Sequence, residues 1–362
     1  MKKTLIALAA LAAAGATLAQ SSVTIYGRMD LGMSQQTTTT GTAAGVDAFS
    51  LAGAEGERTG SRLGFRGTED LGGGLRANFV YEIGINADRG TGAGHGDVQA
   101  ARNNADTRLA NLSLSGGFGT VVVGTFMNAF DTARGFSPAT ANVPGGDFTQ
   151  WQLTTGSVTA GPERFDSRSQ NAIAYVSPTF NGFTFAAGTV REDNTVSTGN
   201  DVSGYILSLG FSQGPFAAQF AFGDSSVSPS AGGADSVDLR NWALGLRYTL
   251  PQVVVSFVYE DTRNSRLATG DFDANAWEIG ARFPMGAFAP YVTFGQGEIS
   301  SRTTLLGAPT SNDTSAWQIG TTYNLSARTW IYAAVGEAQR EETNGINVRK
   351  EAGYAIGLVH TF

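Results

Sequence analysis

Along most of this chain, apolar and polar residues alternate one by one in runs of seven to twelve. In Ser22–Met33, Val23, Ile25, Met29 and Leu31 lie on one side, and Thr24, Tyr26, Arg28 and Asp30 on the other. Ser61–Asp70 sets Leu63 and Phe65 against Arg62, Gly64 and Arg66. Leu75–Ile85 sets Leu75, Ala77, Phe79, Tyr81 and Ile83 against Arg76, Asn78 and Glu82. A period of two predicts strands with one greasy and one small or polar face. The same pattern predicts strands over Tyr205–Phe211, Phe216–Phe222, Trp242–Tyr248, Val253–Tyr259, Trp277–Phe283, Phe288–Phe294, Trp317–Tyr323 and Trp330–Gly336. It returns in Tyr354–Phe362, which ends on an aromatic residue. An unpaired aromatic edge invites aggregation, and a barrel removes it by pairing the last strand with the first.

The connections alternate in length. Short ones carry turn residues, as at Leu71–Gly74, Gly116–Gly119, Pro178–Gly182, Gly214–Pro215, Pro251 and Met285–Gly286. Long ones, such as Gln35–Arg58, Asp224–Ser236 and Ser300–Thr314, are rich in Ser, Thr, Gly, Asn and Asp. The runs number about 16, an even count within the range of bacterial outer-membrane barrels, where short turns face the periplasm and long loops the exterior. Tyr81, Tyr205, Trp242, Tyr248, Tyr259, Trp277, Trp317, Tyr323, Trp330 and Phe362 fall near run ends, as interfacial aromatic girdles require. The expected fold is therefore all-β: a transmembrane antiparallel β-barrel over residues 20–362. A large soluble β-protein would show the alternation without the girdles and the loop asymmetry.

Residues 1–19 change the picture by supplying an address. Lys2 and Lys3, the apolar run Leu5–Ala14, and small Thr17 and Ala19 predict a secretory signal peptide cut before Gln20. Nothing else approaches the roughly 20 apolar residues of a membrane helix. The composition, with 48 Gly, 10% aromatics and 15% charged residues, suits short strands and tight turns. Cysteine is absent, so no disulfide contributes. Removing Lys2 and Lys3 takes the net charge from −7 to −9, which argues against a nucleic-acid partner. Of 24 Lys and Arg, only Lys2, Lys3 and Lys350 are Lys, leaving 21 fork-shaped, permanently charged Arg.

Many inward positions are charged, including Arg28, Arg62, Arg66, Arg76, Glu82, Arg168, Glu260 and Glu278. Burying them dry and unpaired would be costly, whereas a barrel of about 16 strands encloses water. The longest connection, Asn128 to about Phe165, is too long for an ordinary loop and carries Asp131, Arg134, Asp147 and Glu163. Folded into the lumen, it would narrow the channel and set acidic groups opposite the Arg-bearing strands. Such a transverse arrangement selects ions by the sign of the stronger charge ring. Arg62 and Arg66, four apart, share one face about 13 Å from each other.

Enzyme and metal motifs do not hold up. Gly210-Phe211-Ser212-Gln213-Gly214 has the G-x-S-x-G spacing of a hydrolase elbow, but it sits between two strands, with His95 and His360 the only histidines. Asp271-Phe272-Asp273-Ala274-Asn275 begins like a calcium loop but lacks its Gly and closing Glu. Gly90–Gly96 lacks phosphate-loop spacing. No catalytic residue, cofactor or metal is expected.

Five segments, SVTIYGRMDLGM, SRLGFRGTEDLGGGLRANFVYE, LSLSGGFGTVVVGTF, SQNAIAYVSPTFNGFTFAAG and GYAIGLVHTF, span nearly the whole chain. Through them it resembles the general porins of β-proteobacterial outer membranes, trimeric 16-stranded diffusion channels. The resemblance implies a homotrimer surrounded by outer-membrane lipid and lipopolysaccharide, passing small hydrophilic solutes and ions. It makes the loop after GTF the constriction loop, Arg28, Arg62, Arg66, Arg76 and Arg168 pore-lining, and Phe362 the signal read by the barrel-assembly machinery. Thr125 stands where that family usually has Arg, which lowers the expected preference for anions. The alternative is a substrate-selective channel with a saturable site at the constriction loop.

Overall fold

A computed structural model describes residues 22–41, 44–51, 60–85, 105–139, 143–144, 146, 168–192, 200–229, 237–266, 271–301, 310–342 and 348–362. The expected leader, residues 1–19, lies outside them, as do Asp147 and Glu163. The first strands are β1 (Ser22–Thr40), β2 (Val46–Leu51), β3 (Arg62–Gly72), β4 (Leu75–Ile85), β5 (Ala105–Gly116) and β6 (Gly119–Met127). A short helix α1 (Ala129–Arg134) leads into the lumen. The wall resumes with β7 (Arg168–Val176), β8 (Phe183–Glu192), β9 (Asn200–Gln213), β10 (Phe216–Pro229) and β11 (Val237–Thr249). It ends with β12 (Val254–Arg266), β13 (Phe272–Arg282), β14 (Phe288–Ser301), β15 (Thr310–Asn324), β16 (Thr329–Glu342) and β17 (Val348–Thr361).

Every ladder is antiparallel, and the sheet closes on itself. Arg28–Thr40 of β1 pairs with Arg349–Thr361 of β17, while Ser22–Arg28 takes Arg62–Thr68 of β3 on the other edge. Phe362 completes the seam: its N–H donates to Gly27 at 3.1 Å and its carbonyl accepts from Gly27 at 3.0 Å. β2 pairs with Met33–Thr38 of β1 and stands above β3, so the wall itself has sixteen strands. Both the even count and the terminal strand's partner agree with the sequence expectation.

Side chains follow the alternation. On β17, Tyr354, Ile356 and Leu358 are exposed on the outer face, and Ala355 and Val359 are buried on the inner one. Outer aromatics of neighbouring strands touch: Trp242 stacks on Tyr259 at 4.7 Å, and Trp277 meets Phe294 edge-on at 5.8 Å. At the short turn between β3 and β4, Gly72, Gly73 and Gly74 have φ of +84°, +61° and +81°, a backbone that side chains resist.

The strands run further than alternation predicts. β9 starts at Asn200, β10 continues to Pro229, and β14 and β15 reach Ser301 and Thr310. Above the aromatic band both faces meet water, so sequence alternation disappears, yet the backbone ladder continues because it needs no apolar face.

Candidate functional site: the lumen and its inward-folded loop

β6 releases the chain inward through a register break. Gly124 has φ +117°, and a Cβ there would meet the Ala110 carbonyl oxygen at 2.2 Å. Pairing to β7 shifts between Gly124 and Phe126, and Asn111 Nδ2 donates to the Thr125 carbonyl at 2.9 Å. Asn128 then caps α1: its side chain accepts from Phe130 N at 3.0 Å, and its Nδ2 donates to Ser169 Oγ at 3.3 Å.

From there the loop is fastened to the wall. Phe130 and Ala133 are fully buried against Ile206, Ala221 and Ala243 on β9, β10 and β11. Arg134 Nε donates to Glu260 Oε2 at 2.9 Å, and its Nη2 pairs with Glu260 Oε1, giving a two-pronged contact. Both side chains are out of solvent, at 1% and 0% exposure. Asn241 Nδ2 donates to Glu260 Oε1 at 3.3 Å and to Thr262 Oγ1 at 2.8 Å, steadying the carboxylate. Farther on, Arg247 lies over the Phe136 ring at 4.8 Å, and Gln318 Nε2 donates to the Val143 carbonyl at 3.2 Å.

Glycines make the seat for this loop. A Cβ at Gly245 would meet the Ala133 carbonyl oxygen at 2.5 Å, at Gly280 the Pro138 ring at 2.4 Å, and at Gly336 the Pro144 carbonyl oxygen at 1.9 Å. The signal lies in a repeat that alternation alone passes over. Trp242-Ala243-Leu244-Gly245, Trp277-Glu278-Ile279-Gly280, Trp317-Gln318-Ile319-Gly320 and Tyr354-Ala355-Ile356-Gly357 stand on β11, β13, β15 and β17, which run in one direction. In each, the aromatic and the Leu or Ile point outward, and the Gly leaves room inside. Gly245 and Gly280 take the loop; Gly320 and Gly357 take the rings of Tyr291 and Tyr332.

The facing side of the lumen, built by β1, β3, β4 and β5, is basic around one carboxylate. Glu82 Oε1 accepts from Arg108 Nε at 2.8 Å, its Oε2 accepts from Tyr26 Oη at 3.0 Å, and Arg62 Nε lies 3.7 Å away. Arg66, exposed, lies 5.2 Å over the Tyr26 ring, and Arg28, buried, lies 5.2 Å over the Trp330 ring. Four guanidiniums thus share this wall with two buried carboxylates, Glu82 and Asp30, among the described residues. Arg76 stands nearer the short-turn end, exposed and opposite Asp70.

Arg108 has no counterpart in the sequence expectation. Strict alternation puts it with Ala110, Leu112 and Leu114 on the outer face. The register shift between Glu82 and Ile83 makes it the extra residue of a bulge and turns it toward Glu82. Arg168 is half-buried at the start of β7, in register with Met127. Asp131 is half-buried in the first turn of α1. Arg134, expected among the lumen charges, is instead closed on Glu260, 126 positions away, so spacing could not reveal it.

A closed sixteen-stranded wall around charged inner positions, narrowed by a loop fastened inside it, is a membrane channel. The family model described as Gram-negative porin matches residues 4–343. The chain is 32% identical over 365 aligned residues to outer membrane porin protein 32 of Delftia acidovorans, covering 99% of this chain and 95% of that one. The chain belongs to the Gram-negative porin family. An outer membrane porin protein of Bordetella pertussis is 28% identical over the full length of both chains. Among solved structures, the anion-selective porin from Comamonas acidovorans shares the fold with a TM-score of 0.70 at 23% identity, over 95% of this chain and all of that one. The present porin sits in the outer membrane and lets small hydrophilic solutes and ions diffuse passively.

Proposed function

We propose that this porin favours small anions, and that the basic wall of β1, β3, β4 and β5 sets the preference. The observation that carries this is the imbalance around Glu82: among the described residues, Arg28, Arg62, Arg66 and Arg108 outnumber the buried carboxylates Glu82 and Asp30 on one side of the lumen. The described part of the loop is held to the other side, β9 to β17, so permeating ions pass between loop and arginines. Arg134 adds nothing to the field because its charge is closed on Glu260. Of the other site residues, Arg76 and Arg168 act as outlying lumen cations, and Asp131, Asp147 and Glu163 as the loop's acidic counterweight. Thr125, in place of the Arg usual in the family, keeps the preference modest.

Channel conduction, and not catalysis, is the proposed activity: Gly210–Gly214 lies at the end of β9 and in its turn to β10, with no helix to form an elbow there. In the same reading residues 1–19 are removed on export, and Phe362 is read by the barrel-assembly machinery. Three copies associate through the aliphatic outer faces that carry Val23, Ile25, Met29 and Leu31 on β1 and Leu112 on β5. The aromatic-rich faces of β9 to β15 are left to lipid and lipopolysaccharide.

The test is the reversal potential of purified protein in a planar bilayer under a tenfold KCl gradient. It should carry the sign of chloride preference and shrink as total salt rises, because the Debye length falls from about 10 Å at 0.1 M to about 3 Å at 1 M. A potential of the opposite sign refutes the proposal.

A further inference from the structure

We propose that the lumen also holds an apolar subsite, beneath α1, that takes the hydrocarbon or aromatic part of an amphipathic carboxylate. A cavity of about 290 Å³ lies between α1 and the inner faces of β6 to β10. Val122, Phe126, Ala174, Ala186, Val190 and Ile206 shape it, and none of its described lining residues is ionisable. Much of the rest of the inner wall carries charged side chains and amides, as a water-filled passage favours. Here most inward positions of neighbouring strands are Ala, Val, Gly or Ile, with a few Ser and Thr and one Gln among them. Its volume is at the lower end of small-molecule sites, which are typically apolar concavities with a few polar groups. Ser208, Gln219 and Thr132 supply those groups.

The occupant is indicated by what adjoins the cavity. The β5–β6 ladder ends with Ala110 opposite Thr125, two residues along β5 from Arg108 and two along β6 from Met127. Met127 lines the cavity, and Arg108 belongs to the cationic group around Glu82. One molecule can therefore set its carboxylate against Arg108 and Arg62 and its apolar part under α1. Each methylene moved from water into such a surface lengthens residence by up to about fourfold. The cavity thus turns a diffusion path into one with a graded dwell time for aliphatic and aromatic acids. This inference rests on the basic wall acting as the anion-attracting side.

The test uses the intact channel in a planar bilayer with acetate, butyrate, hexanoate and 3-phenylpropionate added in turn. Current-noise analysis should show dwell times lengthening about two- to fourfold per added methylene until the cavity is full. Ala174→Gln and Ala186→Gln, each compared at its own chloride conductance, should flatten the series. Arg108→Ser should shorten dwell times for all four acids while keeping their order. A flat series in the unmodified channel overturns the subsite, whether or not the variants assemble, and so does a full chain-length dependence in both Gln variants. The reversal potential, taken on the same membranes, separates the readings: chloride preference with a flat series removes only the subsite, and cation preference removes the basic wall.

Discussion

Replacing Glu260 by Gln should unfasten the constriction loop without harming the wall. Arg134 and Glu260 are both out of solvent and joined by two contacts. Removing one charge of such a pair leaves the other buried without its counter-ion, a penalty of about 3–5 kcal/mol. At about 1.4 kcal/mol per tenfold, the ratio of seated to unseated loop falls by about a hundredfold or more. Gln can still accept one hydrogen bond, so the lower end applies. The other described contacts are of similar size. Burying Phe130 contributes about 1.5–3 kcal/mol and the Gln318 bond to the Val143 carbonyl about 1 kcal/mol. The seated state therefore becomes marginal, while the sixteen-strand ladder is untouched.

Single-channel recording reads this directly. Glu260→Gln should raise open-channel noise severalfold and add substates of higher conductance, and the protein should still migrate as a folded barrel on an unheated gel. The double variant Arg134→Met with Glu260→Leu replaces the pair by apolar groups of similar volume, a change that is often neutral or stabilising in buried pairs. It should be quiet again. Quiet traces of ordinary conductance from Glu260→Gln would refute the assignment of the pair as the fastening. A double variant as noisy as the single one would show that desolvation is not what makes the pair matter.

Other expectations follow from single contacts. Glu82→Gln removes the carboxylate shared by Arg62 and Arg108 and should move the reversal potential further toward that of chloride; an unchanged potential contradicts the basic-wall reading. Gly336→Ala drives a Cβ into the Pro144 carbonyl and should widen the channel, seen as higher conductance. Gly320→Ala strikes the Tyr291 ring instead and should leave conductance nearer to the original. Deleting Phe362 removes two backbone bonds to Gly27 at the seam and the residue proposed to guide assembly. The yield of folded barrels should fall while single-channel conductance in those that form is unchanged, so normal yield would count against that role.

The barrel was legible in the sequence because its lipid-facing wall obeys a strict local rule. Residues two apart share a face, and Tyr354, Ile356 and Leu358 could not be moved by one without exposing Ala355 and Val359 to lipid. Turn chemistry at Gly72–Gly74 and Gly214–Pro215 is local too. The strand ends above the aromatic band were not legible, because water on both faces removes the pattern that marks a strand. Arg108 was hidden by a single bulge that reverses its face. Arg134 groups with the lumen charges by residue type, which says nothing about a partner 126 positions away. The glycine seats were visible only as small residues, since what they admit is a segment remote in sequence.

Width and charge are placed on different parts of this wall, and that placement predicts how they couple. The loop's seat lies on β9 to β17, where Gly245, Gly280 and Gly336 permit close approach. The arginines stand on β1, β3 and β5, where the described loop does not lie. Gly336 and Glu82 are four strands apart, about 19 Å along the wall at about 4.8 Å per strand, so the two positions do not touch. Distant substitutions usually add. Here they should not, because the loop decides how far an ion passes from the arginines, and screening cuts the field over about 10 Å at 0.1 M salt. Glu82→Gln should therefore shift the reversal potential less in a Gly336→Ala channel than in the original. The difference should shrink further near 1 M salt, where the Debye length is about 3 Å and neither geometry feels the full field. Equal shifts in both backgrounds at low salt would mean that the seated loop does not set the distance over which the basic wall acts.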